Sequence, residues 1–139
     1  MNSWLDEYVD ILENLNAHNI DTLLHVTAKS INFRDPFNET YTQSDFVLIM
    51  QDMFLKLPTV RFEVHTKIQQ EHEAFIHWSF YGNSRMTGEF SFEGTSFIKA
   101  DANGKVMLHH DFWDGSAIMQ KILLLGSIIR RVRSKLAHK

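Results

Sequence analysis

Trp4, Tyr8, Ile11 and Leu15 recur at spacings of four, three and four residues, with Leu5, Val9 and Leu12 beside them. That is the period of a helix that buries one face. Ser3 stands where an N-cap belongs, and Asp6 and Glu7 suit the positive end of the helix dipole. The pattern predicts a helix over 3–15, broken by Asn16-Ala17-His18-Asn19. A second, shorter helix is predicted over 20–26, with Leu23 and Leu24 inward. A short strand at Ile31-Asn32-Phe33-Arg34 stops at Asp35-Pro36. A third helix, over 44–57, has Ser44 as its expected cap and carries Phe46, Val47, Ile49, Met50, Met53, Phe54 and Leu57. Pro58 ends it.

Beyond Pro58 the period drops to two. Val60, Phe62 and Val64 alternate with Arg61, Glu63 and His65; Ala74, Ile76, Trp78 and Phe80 alternate with Phe75, His77, Ser79 and Tyr81. Gly82-Asn83-Ser84 turns the chain. A long strand over 88–100 follows, with Phe90, Phe92, Gly94, Ser96 and Ile98 on one face. The Asn-Gly pair in Asp101-Ala102-Asn103-Gly104 marks a hairpin. The last strand runs over 105–114, and a final helix is expected from about Ser116. Helices first and antiparallel strands after them define an α+β fold: a curved antiparallel sheet with helices on one face.

The length of 139 residues suits one domain. The absence of cysteine excludes a disulfide scaffold, a thiolate metal site and a cysteine nucleophile. No apolar run is long enough for a membrane span. The first residues lack the basic and apolar regions of a secretory leader, so a cytoplasmic location is expected. Charge is divided unevenly. Residues 1–114 hold 8 Lys and Arg against 17 Asp and Glu, a balance of −9, whereas 115–139 hold six basic residues and no acidic one. An acidic body of this kind is not a nucleic-acid binder.

Two segments carry a family resemblance: Ile31-Asn32-Phe33-Arg34-Asp35-Pro36-Phe37, and Gly104 to Asp114, which includes His109-His110-Asp111-Phe112-Trp113. With the element order, they make the chain similar to the nuclear-transport-factor-2-like superfamily and, within it, to the SnoaL-like polyketide-cyclase branch. The resemblance covers about residues 3–126. It implies a cone-shaped roll, with the sheet wrapped around the N-terminal helices and enclosing a deep apolar pocket. A SnoaL-like domain over 1–126 with a basic helical extension over 127–139 is the expected organisation. The superfamily contains isomerases, dehydratases, epoxide hydrolases and cyclases as well as non-catalytic binding modules, so the fold does not choose among them.

Asp35 precedes a proline, which holds it extended, and Phe33 and Phe37 flank it. A carboxylate facing such rings loses hydration, which suits a general base working near neutrality. In ketosteroid isomerases the proton-abstracting Asp lies in a similar Asp-Pro-Phe segment, and Asp35 falls on that position. The oxyanion hole of those enzymes does not carry over: Ile11 falls at the tyrosine's place, with Tyr8 one helical turn earlier, and Ser96 falls at the protonated acid's. The alternative for Asp35 is a turn cap. On the last strand His109, Asp111 and Trp113 share a face. The resemblance places Trp113 on the pocket side, and Asp111 matches the acid/base carboxylate of polyketide cyclases. Limonene-epoxide hydrolases bridge two aspartates with an arginine; Arg34, Arg61 and Arg85 are the candidates here. The alternative for this strand is a polar ladder facing solvent.

The sequence therefore nominates Asp35, Asp111 and His109 as catalytic residues. Trp113, Trp78, Phe37, Phe33, Phe54, Phe92, Ser96 and Tyr8 are nominated around a small apolar ring-bearing molecule. No cofactor is expected, and no metal, because the His and Asp spacing matches no ligand pattern. The reading is an acid/base isomerase, cyclase, dehydratase or hydrolase; the alternative is a non-catalytic ligand-binding or dimerisation module. A homodimer through the outer sheet face, which bears Phe75, Tyr81 and Phe97, is implied by the resemblance and by those exposed rings. In the tail, Ile118, Ile122, Leu125, Ile129, Val132 and Leu136 form a helical stripe. It predicts docking on protein, with contact at an anionic membrane surface as the rival.

Overall fold

The helix α1 (Trp4–Asn14) begins at a reciprocal cap: the Ser3 hydroxyl accepts the Asp6 N–H, and the Asp6 carboxylate accepts the Ser3 N–H. It buries Leu5, Tyr8 and Val9. The computed structural model describes residues 3–114 and Ser116. The final helix, the basic stripe and the boundary at 126 lie outside the described residues. The short helix expected over 20–26 is a 3₁₀ helix, Ile20–His25; it buries Leu23, but Leu24, expected inward, is exposed. It is followed by β1 (Thr27–Asp35), β2 (Asn38–Thr40), α2 (Gln43–Lys56), β3 (Thr59–Gln70), β4 (Glu73–Ser84), β5 (Gly88–Ala100) and β6 (Val106–Phe112).

The sheet order is β2-β1-β6-β5-β4-β3. Strands β3 to β6 form an antiparallel meander. One junction differs from the all-antiparallel expectation: β1 pairs with β6 in parallel, Phe33 opposite His109 and Arg34 opposite His110. The strand read as 31–34 is longer, and the short β2 was not expected. Thr42, not Ser44, caps α2, accepting the Asp45 N–H through its hydroxyl. A bulge at His65 shifts the register of β3 between Val64 and Thr66. It turns Ile68 outward beside Phe75, where alternation alone would have pointed it in.

The concave face of the sheet holds the core. Ala74, Ile76 and Trp78 from β4, with Ile98 from β5, pack there against Leu5, Tyr8, Leu23, Phe46 and Ile49. His77, on the other face, is exposed beside Glu93. No helix among the described residues is long and apolar enough to cross a membrane.

Candidate active site

The parallel junction creates the site. One step past the Arg34–His110 pair lie Asp35 and Asp111, at adjoining strand ends, and both line one cavity of about 170 Å³. His109, Trp113 and Trp78 also line it, as do Phe33 and Phe37 from the β1 end, Phe54 from α2 and Phe92 from β5. Phe92 stacks on Trp113 with centroids 4.4 Å apart, and Phe37 packs T-shaped against Trp113 with centroids 5.6 Å apart. Tyr8 and Ser96 do not reach the cavity. Each is fully buried in the layer behind it.

That layer explains the polar residues of the wall. The Tyr8 hydroxyl lies 2.7 Å from His109 Nδ1, and His109 Nε2 lies 2.6 Å from Asp111 Oδ1. Ser96 Oγ donates to the same Oδ1 at 2.5 Å, and the Trp78 indole N–H donates to Ser96 Oγ at 2.8 Å. Burial, and then the negative charge of Asp111, push the Tyr8 hydroxyl well above its ordinary value of 10.0. Tyr8 therefore keeps its proton and donates it to Nδ1. His109 is then the tautomer whose N–H is on Nε2, and that N–H donates to Asp111. Every donor in the chain points toward Asp111, and both terminal bonds converge on Oδ1. Among the described residues Oδ2 accepts no hydrogen bond, and the side chain retains 17% of its surface.

Asp35 combines both roles foreseen for it. It lines the cavity, and its Oδ1 accepts the Phe37 N–H at 2.8 Å, closing a turn around Pro36. None of the three arginines is on the cavity wall. Arg34 lies over the Phe112 ring on the opposite face. Arg61 pairs with Glu63 and stacks on Tyr81, and Arg85 is exposed in the β4–β5 turn. The arginine bridge of the epoxide-hydrolase pattern is thus missing from the described residues. No group of three metal-ligating side chains occurs among them either.

The links Tyr8–His109 and Ser96–Asp111 were not foreseen, although the second was within reach. Counting outward from Asn103-Gly104 as the centre of the turn sets Ser96 opposite Asp111, and that is the observed register. Gly94 matters to the same layer. A Cβ there would come 2.5 Å from the Trp78 indole carbons and 3.0 Å from the Phe112 carbonyl. Gly94→Ala is therefore expected to cost about 1–3 kcal/mol in chemical denaturation and to displace the indole that holds Ser96. Unchanged stability would show that Trp78 has room to move.

A sheet rolled over its helices, with an apolar cavity and a carboxylate–imidazole pair at the closing strand, defines a pocketed α+β roll. The SnoaL-like domain model matches residues 7–109, and the chain belongs to that family. Solved structures agree on the fold. An NTF2-like protein of unknown function from Burkholderia pseudomallei K96243 superposes with a TM-score of 0.76 at 9% identity, covering 88% of this chain and 98% of its own. A SnoaL-like polyketide cyclase from Agrobacterium tumefaciens str. C58 gives 0.71 at 15% identity, covering 88% and 99%. An LEH-like epoxide hydrolase from M. tuberculosis gives 0.69 at 11%, covering 93% and 90%. No curated protein matches the sequence.

Proposed function

We propose that this protein is an acid/base enzyme acting on a small apolar, ring-bearing molecule, with Asp111 as the group that takes and returns the proton. The observation that carries this reading is the convergence of His109 and Ser96 on Asp111 Oδ1 at a largely aromatic cavity wall. Two fixed donors hold one oxygen and leave the other toward the ligand, which is the arrangement a positioned base requires. We assign the base to Asp111 rather than Asp35, because the His109 and Ser96 side chains orient Asp111 from the layer behind the cavity, whereas Asp35 is held by the backbone of its own 35–37 turn. Asp35 is the second carboxylate, beside Asp111 at the adjoining strand end and placed to exchange a second proton with the ligand. His109 orients Asp111 and stabilises its charge. Phe33, Phe37, Phe54, Phe92, Trp78 and Trp113 supply the apolar contact, and Tyr8 and Ser96 act through His109 and Asp111.

The test is a panel of ring epoxides, ring alcohols and cyclic enones, followed by mass spectrometry for product and for deuterium taken up from heavy water. Turnover of a compound by the wild type, lost in Asp111→Asn, supports the reading. Turnover that survives Asp111→Asn overturns it.

A homodimer through the outer sheet face belongs to the same reading. Phe75 and Phe97 stack there at 4.9 Å, and Phe75, Phe112 and Ile68 are 50%, 50% and 65% exposed. A contiguous set of rings and aliphatics of this kind favours burial against a second copy. Sedimentation is expected to show a dimer at micromolar concentration and a monomer for Phe75→Asp; a wild-type monomer would remove the claim. The tail over 127–139 is proposed to extend the domain as a docked helix. Its deletion is expected to lower stability or solubility. Unchanged stability with loss of binding to anionic vesicles would move the tail to the membrane surface.

A further inference from the structure

The cavity has a polarity that the proposed chemistry does not by itself require. Its ionisable wall groups are carboxylates, those of Asp111, Asp35, Glu13 and Asp52, together with the imidazole of His109. Among the described residues no lysine, arginine, hydroxyl or amide side chain lines it. The donors that do belong to the wall are committed elsewhere. His109 uses Nδ1 to accept from Tyr8 and its Nε2–H to reach Asp111, and the Trp78 indole N–H is held by Ser96. Among the described residues the indole of Trp113 is the one further side-chain donor on these walls. The two groups that hold Asp111 both meet Oδ1, and Oδ2 stays open as an acceptor among the described residues.

We infer that the site takes a neutral or cationic ring compound of one or two rings that brings its own hydrogen-bond donors, hydroxyl or amine, and that it rejects carboxylates and phosphates. A wall whose uncommitted side-chain donor is a single indole leaves most of a ligand's acceptor oxygens unpaired, and unpaired buried polar atoms weaken binding. Its donors find Asp111 Oδ2. The ring faces of Trp113, Phe92 and Phe37 carry negative π density, which attracts a cation and repels an anion. The volume, about 170 Å³, falls below the roughly 300–1,000 Å³ of sites for drug-sized ligands. The inference deepens the acid/base reading by naming its ligand class.

Three probes of one shape test it on the full chain: 1-naphthylmethylamine, protonated at pH 7.5, 1-naphthylmethanol and 1-naphthoate, each titrated by calorimetry. The amine and the alcohol are expected to bind at least tenfold more tightly than the carboxylate, and Asp111→Asn is expected to narrow the gap between amine and carboxylate severalfold. Equal affinity for the naphthoate, binding of none of the three, or an unchanged gap in a folded Asp111→Asn protein would overturn it. The wild-type ranking is read without the variant, so it stands even if Asp111→Asn misfolds. It is also independent of turnover. A charge ranking with an inactive substrate panel fails only the acid/base reading; turnover dependent on Asp111 without the ranking fails only this one.

Discussion

Asp111→Asn is expected to lower turnover of the true substrate by roughly 10²–10⁴-fold, the range for loss of a positioned general base, while the fold is retained. The amide matches the carboxylate in shape, and its oxygen can still accept from His109 Nε2 and Ser96 Oγ, which lie 2.6 and 2.5 Å from Oδ1. What is lost is the lone-pair anion at Oδ2. The deficit should therefore appear in kcat, with KM for a neutral ligand changed little. Asp35→Asn separates the two carboxylates. If Asp35 carried the proton instead, its variant would show the larger loss and Asp111→Asn the smaller. A steady-state comparison of both variants under one assay decides between them, and equal wild-type activity in Asp111→Asn would remove Asp111 from the reaction.

The hydrophobic period revealed α1 and α2 because each presents a stripe to one core, and the change to period two at Pro58 revealed the meander. The parallel β1–β6 junction was hidden, since nothing local in Phe33 or His109 reports a partner 76 residues away. It arises because the meander curls back on itself until its last strand meets the first. Thr42 displaced Ser44 as cap because the helix starts three residues before the first strongly apolar position, Phe46. In the site, alternation was enough to put Asp111 and Trp113 on one face, and Asp-Pro was enough to hold Asp35 at a strand end. The roles of Tyr8 and Ser96 needed tertiary structure. Tyr8 reads as one more member of an apolar helix stripe, and only packing shows its hydroxyl against an imidazole 101 residues further on. The arginine bridge drawn from family analogy failed for a local reason: Arg34 and Arg61 sit on the strand face opposite the cavity, where Phe112, Glu63 and Tyr81 hold them.

Alkaline pH is expected to destabilise the protein through Tyr8. Burial and the Asp111 charge both favour the neutral phenol in the folded chain, so its folded pKa lies well above the ordinary 10.0. The unfolded chain has neither influence and releases that proton near 10. Below pH 10 both states hold the proton, and the stabilisation is fully present. Above it the unfolded state binds fewer protons than the folded one, so stability falls as pH rises, by up to about 1.4 kcal/mol per pH unit, until the folded phenol itself ionises. Tyr8→Phe carries the opposite pair of effects. At pH 7–9 it should cost about 1–3 kcal/mol, because His109 Nδ1 loses its buried donor. Above pH 10 its stability should decline less steeply than that of the wild type, since the phenol is gone. Urea denaturation followed by circular dichroism from pH 7 to 11.5 measures both. The two curves should converge as the pH rises; parallel curves would mean that Tyr8 titrates alike in the folded and unfolded chains, and the directed chain of donors ending on Asp111 would lose its first member.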